Sequence, residues 1–318
     1  MKKTFILSFA SLILLSSCGK ENVNTPPSPV LQDTLATGWK KIKLIDSSTF
    51  FSDIFFINNT GYAVGHPGIF KSLDGGENWS HLQSPSDIES IAMGSERNAI
   101  FTNSGRNNQL VITHNGGASF ITKTLADDAL SDAFFVDSTV AYAVGNSFWK
   151  TIDGGDNWKK LYDFRSTNAS FNSLFFTNEQ IGWVSTEDSG YKTINGGMDW
   201  QRIYTDTLRF LSGGGIFCLN ADTGYIANNF FIYKTVNAGA SWNKVFICTH
   251  QAYHDIHFVS ENEGYITDGS CIFKTTDSGN TWTKVVAIPN SYFNELHFTD
   301  ANHGWACGDK GLILKYVK

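Results

Sequence analysis

The sequence predicts an all-β protein: a seven-bladed β-propeller whose last blade is closed by the N-terminal strand. Three observations predict it. First, a glycine-bearing turn followed by an aromatic recurs, as in KSLDGGENWSHLQ from Lys71 to Gln83. The closing aromatics Trp79, Phe120, Trp158, Trp200, Trp242 and Trp282 follow one another at steps of 41, 38, 42, 42 and 40 residues. A period near forty marks a repeat whose units bury their apolar faces against their neighbours. Second, each unit divides into four short apolar runs between turns, which leaves no room for a helix. Third, the C-terminal stretch LHFTDANHGWACGDKGLILKYVK holds three such runs and then stops, while Trp39-Lys40-Lys41-Ile42 matches the fourth run of other units, such as Trp158-Lys159-Lys160-Leu161.

The chain begins with a segment that is not part of this pattern. Lys2 and Lys3 precede an apolar run from Phe5 to Leu15 that is short for a bilayer span, and Leu15-Ser16-Ser17-Cys18 follows. Residues 1–17 resemble a bacterial lipoprotein signal. The resemblance implies that Cys18 becomes the lipidated first residue and that the protein is anchored in the cell envelope, at the outer membrane or cell surface, without crossing the bilayer. Cys18-Gly19-Lys20-Glu21 also partly resembles a surface-export signal of Bacteroidetes lipoproteins. Residues 18–37 carry Pro26, Pro27 and Pro29 in a polar context and read as a flexible linker. Residues 38–318 form the propeller, with length enough for one sizeable core.

The formal charge is -6, and losing Lys2 and Lys3 with the signal makes it -8, so the basic footprint of a nucleic-acid binder is absent. Cys218, Cys248, Cys271 and Cys307 match no zinc spacing, and buried free thiols are the simplest reading, although an exported protein permits disulfides. No phosphate loop, Ser-His-Asp signature or dinucleotide fingerprint is present, and no cofactor or metal is expected.

In the unit from Asp53 to Gln83, DIFFI, YAVG, IFKS and WSHLQ are the four runs, with NNTG, HPG and LDGGEN as turns. The third-to-fourth turn places Asp74, Asn115, Asp153, Asn195, Asn237 or Asp277 where its side chain can bond backbone N–H groups. Glycine stands two residues later in all six copies, where a positive φ is called for. At these residues the chain resembles the Asp-box, or BNR, repeat family, with Asn for Asp in three copies, Ala238 and Ser278 for a glycine, and Phe120 for Trp. Those departures are expected to weaken single turns. With Gly61-Tyr62-Ala63-Val64-Gly65 and Gly304-Trp305-Ala306-Cys307-Gly308, the resemblance is strongest to the photosystem II stability and assembly factor group.

The resemblance implies that the box turns occupy one face and that ligands bind the opposite face, which would carry Arg165, Arg209, Tyr253, His254 and Tyr292. Aligning units on their first run places Asp53, Glu89, Asp132, Asp255 and Glu295 in an acidic ring, with Ser173 and Gly214 completing it. Such a ring could hold a cation, or each carboxylate could accept a backbone N–H from the next blade. His254 and His257 alternate on a strand, and His257 and His297 fall where Phe55, Phe134 and Phe175 stand, which indicates packing rather than metal ligation. Only five arginines exist, too few near the mouth for the three-arginine site of sialidases. The expected function is a non-catalytic, monomeric binding or assembly module for a protein or glycan. A glycoside hydrolase using paired carboxylates of the ring is the alternative.

Overall fold

A computed structural model describes residues 32–42, 46–84, 88–103, 109–125, 130–164, 171–186, 190–203, 215–228, 231–247 and 253–318. The chain divides into Met1–Gln32 and Asp33–Lys318, and the second unit is the propeller. Cys18, Arg165 and Arg209 lie outside the described residues, as does Cys248. No helix among the described residues is long and apolar enough to cross a membrane.

Strands β1 to β29 run in chain order. Blades 1 to 6 are the antiparallel sheets β3–β6 (residues 50–82), β7–β10 (90–124), β11–β14 (130–163), β15–β18 (171–203), β19–β22 (216–247) and β23–β26 (253–287), and blade 7 is β27–β29 (293–317) with β2 (Trp39–Ile42) on its outer edge. In blade 7, Trp39 pairs Tyr316 and Ile42 pairs Ile313, so the terminal strand supplies the missing fourth run in register. The first strands form the inner ring, each touching the next, and β27 (Phe293–Asp300) closes on β3 (Phe50–Ile57). A closed ring leaves no inner edge to template aggregation.

The ordered fold starts earlier than the sequence suggests. Thr34 and Leu35, assigned above to the linker, form β1 and pair with Ala287 and Val286 on the outer edge of blade 6. Leu35 packs, partly buried, against the core shared by blades 6 and 7. Two strands of one short segment therefore fasten adjacent blades at the seam.

Second strands such as β12 (Ala141–Gly145) are buried on both faces between neighbouring blades, and the aromatic of the second strand reaches across to the first strand of the next blade. Trp305 of blade 7 stacks on Phe56 of blade 1 at 3.8 Å, Tyr142 on Phe176 at 4.0 Å, Tyr225 on Phe258 at 3.9 Å, and Tyr265 on Phe298 at 4.3 Å. The outer side of the ring is covered by a repeated lysine: Lys192 stands 4.4 Å above Trp183, and Lys234 5.4 Å from Tyr225. Their ammonium groups donate to the box carbonyls of the following blade, Ala238 at 3.0 Å and Ser278 at 3.2 Å. Trp305 Nε1 likewise donates to Gly75 O at 3.0 Å, so the seam between last and first blades uses the same device.

The box turns bond as their residues require. The Thr151 hydroxyl accepts from Gly155 N–H at 3.0 Å and donates to Asp153, whose carboxylate accepts Asn157 N–H and Nδ2–H, both at 2.8 Å. Where Asn replaces Asp, the bond to the residue four positions on reverses: Asn115 and Asn237 donate to Ser119 and Ser241, and Asn195 donates to Asp199. These copies therefore keep a side-chain bond across the turn, with Asn as the donor. Gly197 has φ +85°, and a Cβ there would lie 2.0 Å from Phe148 Cε1, so glycine is required by both conformation and space. Ala238 and Ser278 take positive φ of 58° and 61° at the neighbouring position, which costs backbone strain that the turn's hydrogen bonds hold in place.

Trp305→Ala removes a buried ring and leaves the Gly75 carbonyl without its donor. It is expected to cost about 3–5 kcal/mol in denaturant unfolding, whereas exposed Leu73→Ala should change stability by less than about 0.5 kcal/mol. A Trp305→Ala loss below about 1 kcal/mol would contradict the role given to the interblade stack.

Candidate functional site

The inner strands surround a channel cavity of 280 Å³. Strand register sets its lining. Asp53 opposes Val64, and the same position is Ser90 in blade 2, because Ile91 opposes Phe101 and Ala99 opposes the box residue Thr113. Glu89 is therefore one residue out of the ring. Its N–H instead bonds the Thr102 carbonyl. In blade 5 the position belongs to Gly215, since Ile216 opposes Ile226, and a Cβ on Gly215 would lie 2.5 Å from Asp255 Oδ1. Gly214 lies outside the described residues. The ring is thus Asp53, Ser90, Asp132, Ser173, Gly215, Asp255 and Glu295, with four carboxylates where the sequence suggested five. The misplacement has a physical cause: blade 2 lacks the glycine, Tyr and Phe landmarks that anchor the other units.

Three of the four carboxylates bridge blades. Asp53 Oδ2 accepts Ile91 N–H at 2.8 Å, Asp132 Oδ2 accepts Leu174 N–H at 3.0 Å, and Asp255 Oδ2 accepts Leu296 N–H at 3.0 Å. Ser90 donates to Asp132 at 2.9 Å. Hydrogen bonding between Glu295 and Asp255 favours a protonated Glu295 beside an ionised Asp255, and Asn294 makes the bridge to blade 1 by donating to Phe51 O at 2.7 Å. These groups keep some contact with the channel, yet surrounding protein strips away most of their hydration. Desolvation raises Asp53 to about 7, and Asp132 and Asp255 to about 6, while the accepted N–H bonds pull the other way. Burial, then the charge of Asp255, hold Glu295 well above the usual carboxylate range.

Below this ring lies an aromatic belt. Phe134 meets Phe175 at 5.1 Å, Phe175 meets Phe217 at 5.1 Å, Phe217 meets His257 at 4.9 Å, and His297 meets Phe55 at 4.1 Å. His297 Nε2 bonds the Phe56 carbonyl at 2.9 Å. Burial lowers His257 to about 3 and His297 to about 4, so both are neutral packing groups near pH 7. Among the described residues no three His, Cys, Asp or Glu side chains are grouped to hold a metal ion.

The loop-face candidates are not assembled into one site by the described residues. Tyr253 and His254 start β23 (Tyr253–Phe258), with Tyr253 opposite Asp268; their side chains fall outside the description. Tyr292 is 50% exposed just before β27, and its N–H donates to Asp309 at 2.8 Å. Phe50, 44% exposed at the start of blade 1, lies at the equivalent strand start on the adjacent blade, three residues before the run that the sequence marks from Asp53. Cys218 and Cys307 are free and buried, and Cys271 is free and partly buried.

Asp53→Asn tests the cost of the ring. A carboxylate raised from 3.8 to about 7 loses stabilising contribution as pH climbs through that window, because folding then demands a buried charge. Asparagine still accepts the Ile91 N–H. The variant is therefore expected to gain stability relative to the parent between pH 5 and pH 8 by roughly 1–3 kcal/mol, read as urea midpoints across pH. The box carboxylates Asp74 and Asp153, lowered to about 2, act in the opposite sense and only in acid, so they do not mask the effect. A pH-independent difference would contradict it.

Three comparisons bear on identity. The family model for the Photosynthesis system II assembly factor YCF48 matches residues 121–250 and 245–317. Nothing among curated protein sequences matches. Among solved structures, the YCF48 bound to D1 peptide superposes with a TM-score of 0.72 at 18% identity, covering 90% of this chain and 99% of that one. The YCF48 from Cyanidioschyzon merolae gives 0.73 at 17%, covering 88% and 98%. A GH74 xyloglucanase from Xanthomonas campestris gives 0.69 at 12%, covering 86% of this chain but 52% of that one. At such identities the structural likeness speaks for the fold, whereas the family model spans more than half of the sequence, and the chain belongs to the Photosynthesis system II assembly factor YCF48 family.

Proposed function

We propose that this chain is a non-catalytic assembly module that binds a polypeptide on its loop face and is held at the cell envelope by lipid on Cys18. The observation that carries the non-catalytic reading is the use of the ring carboxylates. Asp53, Asp132 and Asp255 are engaged with backbone N–H groups of neighbouring blades, and Glu295 is engaged with Asp255. A general acid and a general base must be free to exchange protons with substrate and water. The family membership and a relative solved with a bound peptide support a polypeptide over a glycan as partner. Exposed Tyr292 and Phe50 supply aromatic surface of the kind that dominates binding energy, beside loops that differ from blade to blade. Arg165, Arg209, Tyr253 and His254 extend the same face by their place in the repeat. The anchor rests on Leu15-Ser16-Ser17-Cys18.

Two outcomes follow. The double variant Tyr253→Ala with Tyr292→Ala should weaken capture of the envelope polypeptide that the parent retains at least tenfold, while Asn237→Ala in a box turn leaves it unchanged. Equal capture would remove the loop face from the account, and glycan turnover lost in Asp53→Asn or Asp255→Asn would establish the hydrolase instead. Cys18→Ala should move the protein from membrane to soluble fractions, and parent protein that is soluble and unlipidated by mass spectrometry would refute the anchor.

A further inference from the structure

The segment that closes the ring also fixes where the chain enters it. Strand β1 (Thr34–Leu35) is antiparallel to β26 (Thr283–Ala287), with Thr34 opposite Ala287 and Leu35 opposite Val286. The Ala36 N–H then bonds the Val285 carbonyl, so the chain runs from the Ala287 end of blade 6 toward its box turn. The Ala287 end leads into residues 288–292, the connection that carries blade 6 to blade 7 on the loop face. The polypeptide before Thr34 therefore joins the propeller at its loop-face end.

One hydrogen-bonded rim continues from that point. The Tyr292 N–H donates to the Asp309 carboxylate at 2.8 Å, and its carbonyl accepts the Asp309 N–H at 3.0 Å. Gly311 N–H donates to Thr49 O at 2.6 Å, which brings a turn of blade 7 against the lead into blade 1. Lys310 Nζ donates to the Asn290 carbonyl. This frame holds Tyr292 and Phe50 exposed on adjacent blades, with exposed His66 opposite Phe50 and exposed Pro67 next to it. The acids here are folded back onto the chain: Asp309 on Tyr292, and Asp46 on the Ser48 N–H at 3.0 Å and hydroxyl at 2.7 Å. The box face differs. Leu73, Ile152, Ile194 and Val236 are exposed there, but so are carboxylates among them, including Asp74, Glu77, Asp153 and Asp156. Pressing that face onto lipid would strip water from charges that gain nothing in return.

We propose that the loop-face rim of blades 6, 7 and 1 rests on the lipid surface, with the Tyr292 and Phe50 rings at headgroup level. The proposal rests on the lipid anchor at Cys18 and adds the orientation that the anchor imposes. A flexible tether of residues 18–33 has a root-mean-square reach of roughly 20 Å. The eight residues of β3 rise about 25 Å along the blade. The face at which the chain enters is thus the face held near the bilayer, and turning the box face down would require the tether to run past the whole blade. Tyrosine, with an apolar body and a polar tip, suits the headgroup layer, and phenylalanine the acyl boundary beneath it. Lys310 is balanced by Asp46 and Asp309, so the contact does not call for anionic lipid. Polypeptide capture on the same face then takes place at the lipid surface.

The test uses the lipidated mature chain on phosphatidylcholine vesicles that contain a lipid with a photoreactive diazirine at its headgroup, and adducts are mapped by mass spectrometry. Adducts are expected to concentrate on residues 46–50, 66–68 and 288–292, at least fivefold over the box turns. Phe50→Ser with Tyr292→Ser should lower them at least threefold while the melting temperature and Cys18-dependent vesicle association stay unchanged. Inserting about twenty Gly and Ser residues after Pro29 should spread adducts over both faces. Adducts on the box turns, an even distribution in the parent chain, or a pattern that neither change alters would overturn the proposal. The same spectra report the lipid on Cys18. A parent chain without it overturns the anchor and this orientation together, whereas a lipidated chain that crosslinks through its box turns overturns the orientation alone. Loop-face capture is read on the soluble Cys18→Ala chain and stands or falls separately.

Discussion

The structure depends on one contact made again and again: an aromatic ring on the second strand of a blade lying flat on an aromatic ring of the next blade's first strand. A single blade is a small sheet with two faces to cover, and neither can be covered from within. Stacks such as Trp305 on Phe56 and Tyr142 on Phe176 cover them pairwise, at centroid separations near 4 Å. Each contributes about 0.5–1.5 kcal/mol beyond the area it buries. Among the described residues four of the seven seams carry such a stack, the one between the last and first blades included, and strands β1 and β2 fasten blades 6 and 7 beside it.

This dependence orders the rest of the chemistry. Around the stacks, lysines cover the ring edges and reach the next box turn, and inside them the ring carboxylates reach the next blade's backbone. A carboxylate in that position carries a desolvation cost that its N–H bonds only partly offset, which is why Asp53, Asp132 and Asp255 sit above their ordinary range. Raised values of this kind often mark active sites, but a structural network produces them as well, and here the partners are backbone amides. The proposed binding function accordingly falls on the loop tips of one face, which the repeat chemistry does not use.

Much of this was legible in the sequence. The forty-residue period fixed the blade count through the split unit, since Trp39-Lys40-Lys41-Ile42 had a clear counterpart in Trp158-Lys159-Lys160-Leu161. His257 and His297 could be assigned to packing because strand alternation and the repeat position both pointed there. Other features were hidden for definite reasons. The ring position in blade 2 is Ser90 rather than Glu89, and the sequence hides it because Ala99, Ile100 and Met93 stand where other units carry Gly, an aromatic and Phe, so only backbone pairing sets the register. Strand β1 was invisible because two residues carry no periodicity, and its pairing is supplied by a distant edge.

The non-catalytic reading rests on the claim that the channel carboxylates are committed to holding neighbouring blades together. Native-state hydrogen exchange of Ile91, Leu174 and Leu296, whose N–H groups they accept, tests it most directly. The account predicts that these three amides exchange only through global unfolding, with protection equal to that of the slowest core amides. Exchange of any of them at the rate of exposed loop amides, in protein whose core remains protected, would mean that the carboxylates are free in the channel and would contradict the account.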